Sequence, residues 1–237
     1  MTNAIILPLT ADMELVISAD NSGSIGEKKD DIVKASNQIV GHFSCRVALM
    51  ECLAEYAEPQ AVIMQNFTND AAWIEYKRGV HEVLAEIGIA NLPITGSTES
   101  NFPSLQSGLG LSLIGTRKKR ATYEWTGREC FAVIGTPYVG DTVLENREEI
   151  ATISLLKQFT EIDGVKAVLP VGSKGIRSAF EKWTEQDVEL ECAVDLETTA
   201  GPATCFIVAF DSDVEEELRM LAGELFHLLE VKQKSME

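Results

Sequence analysis

The residues best suited to chemistry lie in the stretch Glu14–Asp31, ELVISADNSGSIGEKKDD, where an apolar run gives way to Asp20, two glycines and a second pair of carboxylates, Asp30 and Asp31. Leu15, Val16 and Ile17 predict a buried strand, whereas Asp20, Asn21, Ser22, Gly23, Ser24 and Gly26 predict its end. An acid at a strand end in an α/β sheet, beside backbone opened by Gly23 and Gly26, suits a hydrated Mg²⁺ that carries phosphates. The same residues also suit an Asx-type turn that merely closes a loop. A second carboxylate, Glu51, sits inside the apolar run ALMECLA, and taken alone it reads as a solvated helix-face residue. A third polar segment, LPITGSTESNFPSLQSGLGLSLIG, is dense in small hydroxyl residues around Gly96, Thr98, Glu99 and Asn101, and reads equally as a site or a loop. In PVGSKGI, Lys174 stands between a buried strand and a helix start, where exposed amides favour anions; without the Walker spacing, a simple turn fits as well.

The elements that must position these residues follow from periodicity. Ala4–Leu9 predicts an edge strand, since Pro8 lacks a ladder amide, and Met13–Ala19 predicts the second strand. A long apolar helix is expected over 37–57, a strand over 60–67, and a helix over 71–87 with its N-cap in Thr68-Asn69-Asp70. The run Leu109–Ile114 predicts a strand, and the basic run Arg117–Arg120 a charged hairpin tip. Beyond it, strands are expected at 123–127, 130–136, 165–169, 188–194 and 205–210, with helices at 144–159 and 176–183. A last helix, opened by a capping box at Asp211–Glu215, would carry the stripe Val214, Leu218, Leu221, Leu225 and Leu229, and the tail from Lys232 would fray. The alternation predicts an α/β (α+β) chain with a boundary near 120–130.

Thirty-seven acids against 20 bases give a formal charge of −17, which argues against nucleic acid or an anionic membrane as partner and favours a small molecule. Five scattered cysteines with no CxxC spacing read as reduced core residues of a cytoplasmic protein, and His42, His81 and His227 are isolated. The N-terminal apolar run is too short for a signal peptide or membrane anchor.

In order along the chain, these segments resemble the superfamily of ATP-dependent enzymes that includes aminoimidazole ribonucleotide (AIR) synthetase, thiamine-monophosphate kinase, selenophosphate synthetase and the hydrogenase maturation dehydratase. GHFSCRVALMECLAEYAEP resembles the family helix whose acid binds metal, at the position of Glu51, and Leu15–Asp20 resembles the strand ending in a metal-binding aspartate. TGSTESNFPSLQSGLGLSLIG resembles the stretch after the family's paired glycines, and GPATCFIVAF resembles its last glycine-rich strand. The chain departs where the family has paired glycines and an acid (here Thr95-Gly96-Ser97) and where the kinase branch has Ser-Asp-Gly (here Ser173-Lys174-Gly175). Its short length with DNSGSIGEK, RVALMECL and VGSKGI resembles the alpha-ribazole kinase subgroup.

The resemblance implies a two-domain AIR-synthase-like fold, with an ATP-binding domain over 1–125 whose sheet forms a barrel at a homodimer interface, and an α/β sandwich over 126–237. It implies a Mg-ATP-dependent kinase acting on the ribose 5′-hydroxyl of a nucleoside such as alpha-ribazole. An ATP-dependent synthetase or ligase, or a non-catalytic nucleotide-binding module, is the alternative. In that scheme Asp20, Glu51 and Asp31 hold Mg²⁺. Asn21, Gly23, Gly26, Gly96, Thr98 and Asn101 bind the nucleotide or substrate, and Glu99 and Lys174 are catalytic.

Overall fold

The structure is a computed structural model that describes residues 2–121 and 123–233. The chain divides into two compact units, one of residues 3–119 and one of residues 2 and 120–237.

The 3–119 unit contains β1 (Ile5–Pro8), β2 (Met13–Gly23), a two-residue parallel pair β3 (Ile25–Gly26) and β4 (Val33–Lys34), α1 (Asn37–Ala54), β5 (Glu58–Asn66), α2 (Asp70–Ala85), β6 (Ile94–Thr98) and β7 (Gly108–Lys118). Its main sheet has the order β1-β2-β7-β5-β6, so the strand carrying Pro8 lies at an edge. Ser36 caps α1 by accepting from the Ile39 amide at 3.3 Å, and Asn69 caps α2 by accepting from Ala72 at 2.9 Å. Alternation along the strands sorts the sheet into two faces. Val16, Ser18, Leu111, Leu113, Val62 and Met64 are buried on the face that meets α1, where the Ser18 hydroxyl donates to the Ala48 carbonyl at 2.6 Å. Leu15, Ile17, Ile63 and Ile114 occupy the other face with Ile5 and Leu7 of the edge strand.

Four expectations change in this unit. Asp20 does not end β2, because the ladder with β7 continues through Asp20↔Leu111 and Asn21↔Gly110 to Gly23↔Gly108, where small partners let the strands stay paired. Gly96 lies within β6, paired in parallel with Met64, rather than in a loop. Arg117 is no hairpin tip: it lies in β7, and its guanidinium bridges Glu14 and Glu55 at 2.8 Å each. Helix α1 stops at Ala54, three residues earlier than predicted, as Tyr56 turns to a left-handed φ of 59°.

The second unit contains β8 (Cys130–Ile134), α3 (Thr142–Glu145), α4 (Ile153–Glu161), β9 (Val165–Pro170), α5 (Gly175–Thr184), β10 (Val188–Glu191), β11 (Phe206–Phe210), α6 (Glu215–Ala222) and β12 (Phe226–Gln233). Its antiparallel sheet has the order β10-β12-β8-β11-β9. Phe131, Val133 and Ile207 form a core with Ile176 and Phe180 of α5, and Phe131 and Phe180 meet edge to face at 4.9 Å. On the alternate side of β11, Phe206 meets Phe159 of α4 at 5.4 Å.

The helix expected over 144–159 is broken into α3, a 3-10 turn at Arg147–Glu149 and α4, because Ala151 turns to donate to the Thr204 carbonyl at 2.9 Å and Thr152 caps a new start. The strand expected over 123–127 is absent. There the Glu129 carboxylate gathers Tyr123 Oη, the Thr126 amide and hydroxyl and the Gly127 amide. The long C-terminal helix is also corrected: Gly223, at φ 57°, ends α6, and Leu229 belongs to β12, where pairing with β8 overrides the helical spacing. Lys232 lies in that strand, and the rest of the tail expected to fray, 234–237, lies outside the described residues.

Candidate functional site

Asp20 follows Ser18 on the buried face of β2 and therefore looks at α1. On that helix Ser44, Ala48 and Glu51 fall at steps of four and three, which is one stripe. Two acids far apart in sequence are thereby brought together. Burial among residues such as Leu111 and Met64 pushes the Asp20 carboxyl up from 3.8 to about 6, the Glu51 charge adds to the rise, and the Asn21 amide and the Ser44 hydroxyl partly offset it. Glu51 is 8% exposed, so it is no solvated face residue, and its Oε1 accepts from the Asn3 side-chain amide at 3.1 Å. Ser44 and Asn3 were not singled out in the sequence. Ser44 was legible as lying two helical turns before Glu51, whereas Asn3 carries no local signal.

Asp31 is treated oppositely. Its Oδ1 accepts from the Ser107 amide at 2.7 Å, and its Oδ2 from the Ser107 hydroxyl at 2.7 Å and the Lys28 amide at 2.8 Å. Burial pushes its pKa up, but these donors overcome the desolvation and leave it below the ordinary 3.8. With its acceptor positions directed at protein donors, Asp31 ties the loop after β2 to the loop before β7. Gly26 belongs to the same clamp, since a Cβ there would stand 2.4 Å from Ser107 Oγ. At Gly96 a Cβ would stand 1.8 Å from the Met64 carbonyl, so pairing with β5 already demands glycine. Gly23 has open space around it, and Asn21 is exposed one residue beyond Asp20.

The hydroxyl segment lies at the far end of β6. Thr98 accepts from the Asn66 side-chain amide at 3.1 Å, and the Glu99 carboxylate accepts from the Asn101 amide at 2.7 Å, closing a local turn. Lys174 belongs to the other unit, where it is exposed in the turn that opens α5. Cys45 and Cys52 are free and buried, and burial lifts each thiol to about 12, which suits inert core residues.

Among the described residues no group of three or more His, Cys, Asp or Glu is arranged to hold a metal by itself. Two mutually repelling, desolvated carboxylates nevertheless fit Mg²⁺, which takes one or two protein carboxylates and fills its remaining positions with water and phosphate oxygens.

The site and fold define an α/β protein with a paired carboxylate on a strand and the helix above it. Solved structures that share that fold include the following. PurL of T. maritima, solved with ATP, is 13% identical with a TM-score of 0.62, covering 98% of this chain and 42% of that one. HypE of E. coli, a hydrogenase maturation protein, is 13% identical with a TM-score of 0.61, covering 92% of this chain and 80% of that one. Phosphoribosylformylglycinamidine synthase II from Thermotoga maritima is 14% identical with a TM-score of 0.58, covering 98% and 42%. The chain thus spans less than half the length of the T. maritima PurL and synthase II structures. No protein-family model and no curated protein sequence matches it.

Proposed function

We propose that this protein uses Mg-ATP to phosphorylate an oxygen of a small molecule. The observation that carries the reading is the convergence of Asp20 and Glu51 in a desolvated position, within a fold shared with PurL solved with ATP. Phosphoryl transfer asks a protein for alignment and charge neutralisation more than for covalent chemistry. Asp20 and Glu51 would hold Mg²⁺, which when bound neutralises charge on the triphosphate. Ser44 and Asn3 orient the two carboxylates. Asn21 and the open backbone at Gly23 would line the phosphates, while Thr98, Glu99 and Asn101 would orient the acceptor. Lys174 would supply a point charge to the transferring phosphoryl group. Asp31 and Gly26 would shape the loop after β2, and Gly96 would hold β6 against β5.

The type of reaction has two readings. A synthetase that phosphorylates an amide or carboxylate oxygen before forming a carbon–nitrogen bond is favoured by the likeness to a synthase structure. Kinase action on the 5′-hydroxyl of a nucleoside such as alpha-ribazole is favoured by the motifs DNSGSIGEK, RVALMECL and VGSKGI. The sheet face bearing Ile5, Leu7, Leu15 and Ile17 would join a second copy as a homodimer. ATP consumption over a panel of nucleosides, amides and carboxylates, with mass detection, decides among the readings. A stable phosphorylated product marks the kinase, and phosphate release with a new carbon–nitrogen bond marks the synthetase. ATP binding that no substrate stimulates to turnover marks a non-catalytic module and sinks both. Lys174→Ala should lower turnover at least tenfold with an unchanged melting temperature, and wild-type turnover would remove Lys174 from the mechanism.

A further inference from the structure

Like charges repel, so Asp20 and Glu51 push β2 and α1 apart, and the fold must hold the strand and the helix together against that push. Small residues on the helix face of the sheet do so. Ser18, 1% exposed, stands between Val16 and Asp20 on that face and pairs with Leu113 of β7. Its hydroxyl donates to the Ala48 carbonyl at 2.6 Å, a direct contact from a strand side chain to the helix backbone. Gly115, opposite Val16 in the same ladder, admits the next turn of the helix: a Cβ there would stand 2.6 Å from Cys52 Sγ and 3.1 Å from Ala57 Cβ.

These two contacts lie beside the paired acids. Ser18 precedes Asp20 by two residues on β2, so their side chains share a face, and Ala48 and Cys52 flank Glu51 along α1. The hydroxyl at position 18 is not needed to satisfy the helix, because a carbonyl inside an α-helix already accepts from the amide four residues on. What it fixes is separation: a hydrogen bond buried away from water holds the strand and the helix at one distance. Asp20 depends on that distance, since a carboxylate on a single methylene cannot follow a receding helix.

We infer that Ser18 and Gly115 are positioning residues that hold α1 close against the β2–β7 ladder, so that Asp20 and Glu51 stay near enough to share one divalent cation. This rests on the phosphoryl-transfer reading and deepens it. Both residues act through the two carboxylates, and the affinity of the pair for a cation is set by how closely the helix approaches the sheet.

The test is titration of the full chain as wild type, Ser18→Ala, Gly115→Ala and Val83→Ala. Mg-ATP is titrated by calorimetry with Mg²⁺ in excess. Mn²⁺ alone, which takes the same hard oxygen ligands, is followed by electron paramagnetic resonance. Val83→Ala truncates a fully buried side chain of α2 and reports what lost stability does by itself. The expected result is that Ser18→Ala and Gly115→Ala each weaken Mn²⁺ and Mg-ATP binding at least tenfold, whereas Val83→Ala lowers the melting temperature and binds both like wild type. Ser18→Ala removes a single oxygen, so it carries the test even where the methyl group of Gly115→Ala prevents folding. Wild-type affinities in Ser18→Ala overturn the inference. So does an equal loss of affinity in Val83→Ala, which reduces Ser18 and Gly115 to ordinary core residues. A wild type that binds neither Mn²⁺ nor Mg-ATP strikes the phosphoryl-transfer reading instead.

Discussion

Asp20 and Asp31 lie eleven positions apart in one acidic stretch, and the fold treats them in opposite ways. Asp31 is surrounded by donors from Ser107 and Lys28 and held below its ordinary pKa. Asp20 is desolvated beside Glu51 and raised to about 6. A buried carboxylate that meets enough donors is a structural fastener, whereas one set against a second carboxylate weakens the empty fold and is retained where a cation can relieve it. The comparison separates a site from its supporting loop more sharply than residue type does.

The largest effect should come from breaking the strained pair. Asp20→Asn is expected to lower ATP-dependent turnover by about 100-fold, consistent with the several kcal/mol a catalytic metal supplies, while leaving the circular dichroism spectrum unchanged. Breaking the satisfied acid should instead cost stability. Asp31→Ala leaves the Ser107 and Lys28 donors without their acceptor and should lower unfolding free energy by about 3 kcal/mol in urea melts. Gly26→Ala, which presses a methyl group against Ser107 Oγ, should destabilise the same clamp by about 1–3 kcal/mol.

The smallest and most diagnostic effect is in pH. For Asp20, whose folded pKa is raised, the stabilising contribution is present below about 3.8 and is lost as pH rises through about 6. In Mg-free buffer Asp20→Asn should therefore melt higher than wild type above pH 6 and lose that advantage near pH 4. For Asp31, whose folded pKa is lowered, the contribution is present above 3.8 and disappears as pH falls through the folded value, so Asp31→Asn should melt lower than wild type at neutral pH. Both substitutions shifting in the same direction would dissolve the contrast.

Much of the layout was legible where local pattern and tertiary pairing agree. The order of β2, α1, β5 and α2 follows from apolar runs and from the Asn69 cap. It failed where long-range pairing decides: Leu229 sits at helical spacing from Leu225, yet β8 draws it into a strand, and Thr204 pulls Ala151 out of a helix. The carboxylates of the site were visible as types, and the resemblance marked Glu51. Their surroundings were not visible: the Ser107 donors that make Asp31 a fastener lie 76 residues downstream, and the Asn3 amide that reaches Glu51 lies 48 residues upstream.

The most direct measurement is calorimetric titration of ATP, with and without Mg²⁺, into wild type and Glu51→Gln near neutral pH. The account predicts Mg²⁺-dependent ATP binding in the wild type and its loss in the variant, with both chains folded. Equal, Mg²⁺-dependent affinity in the two chains would contradict it.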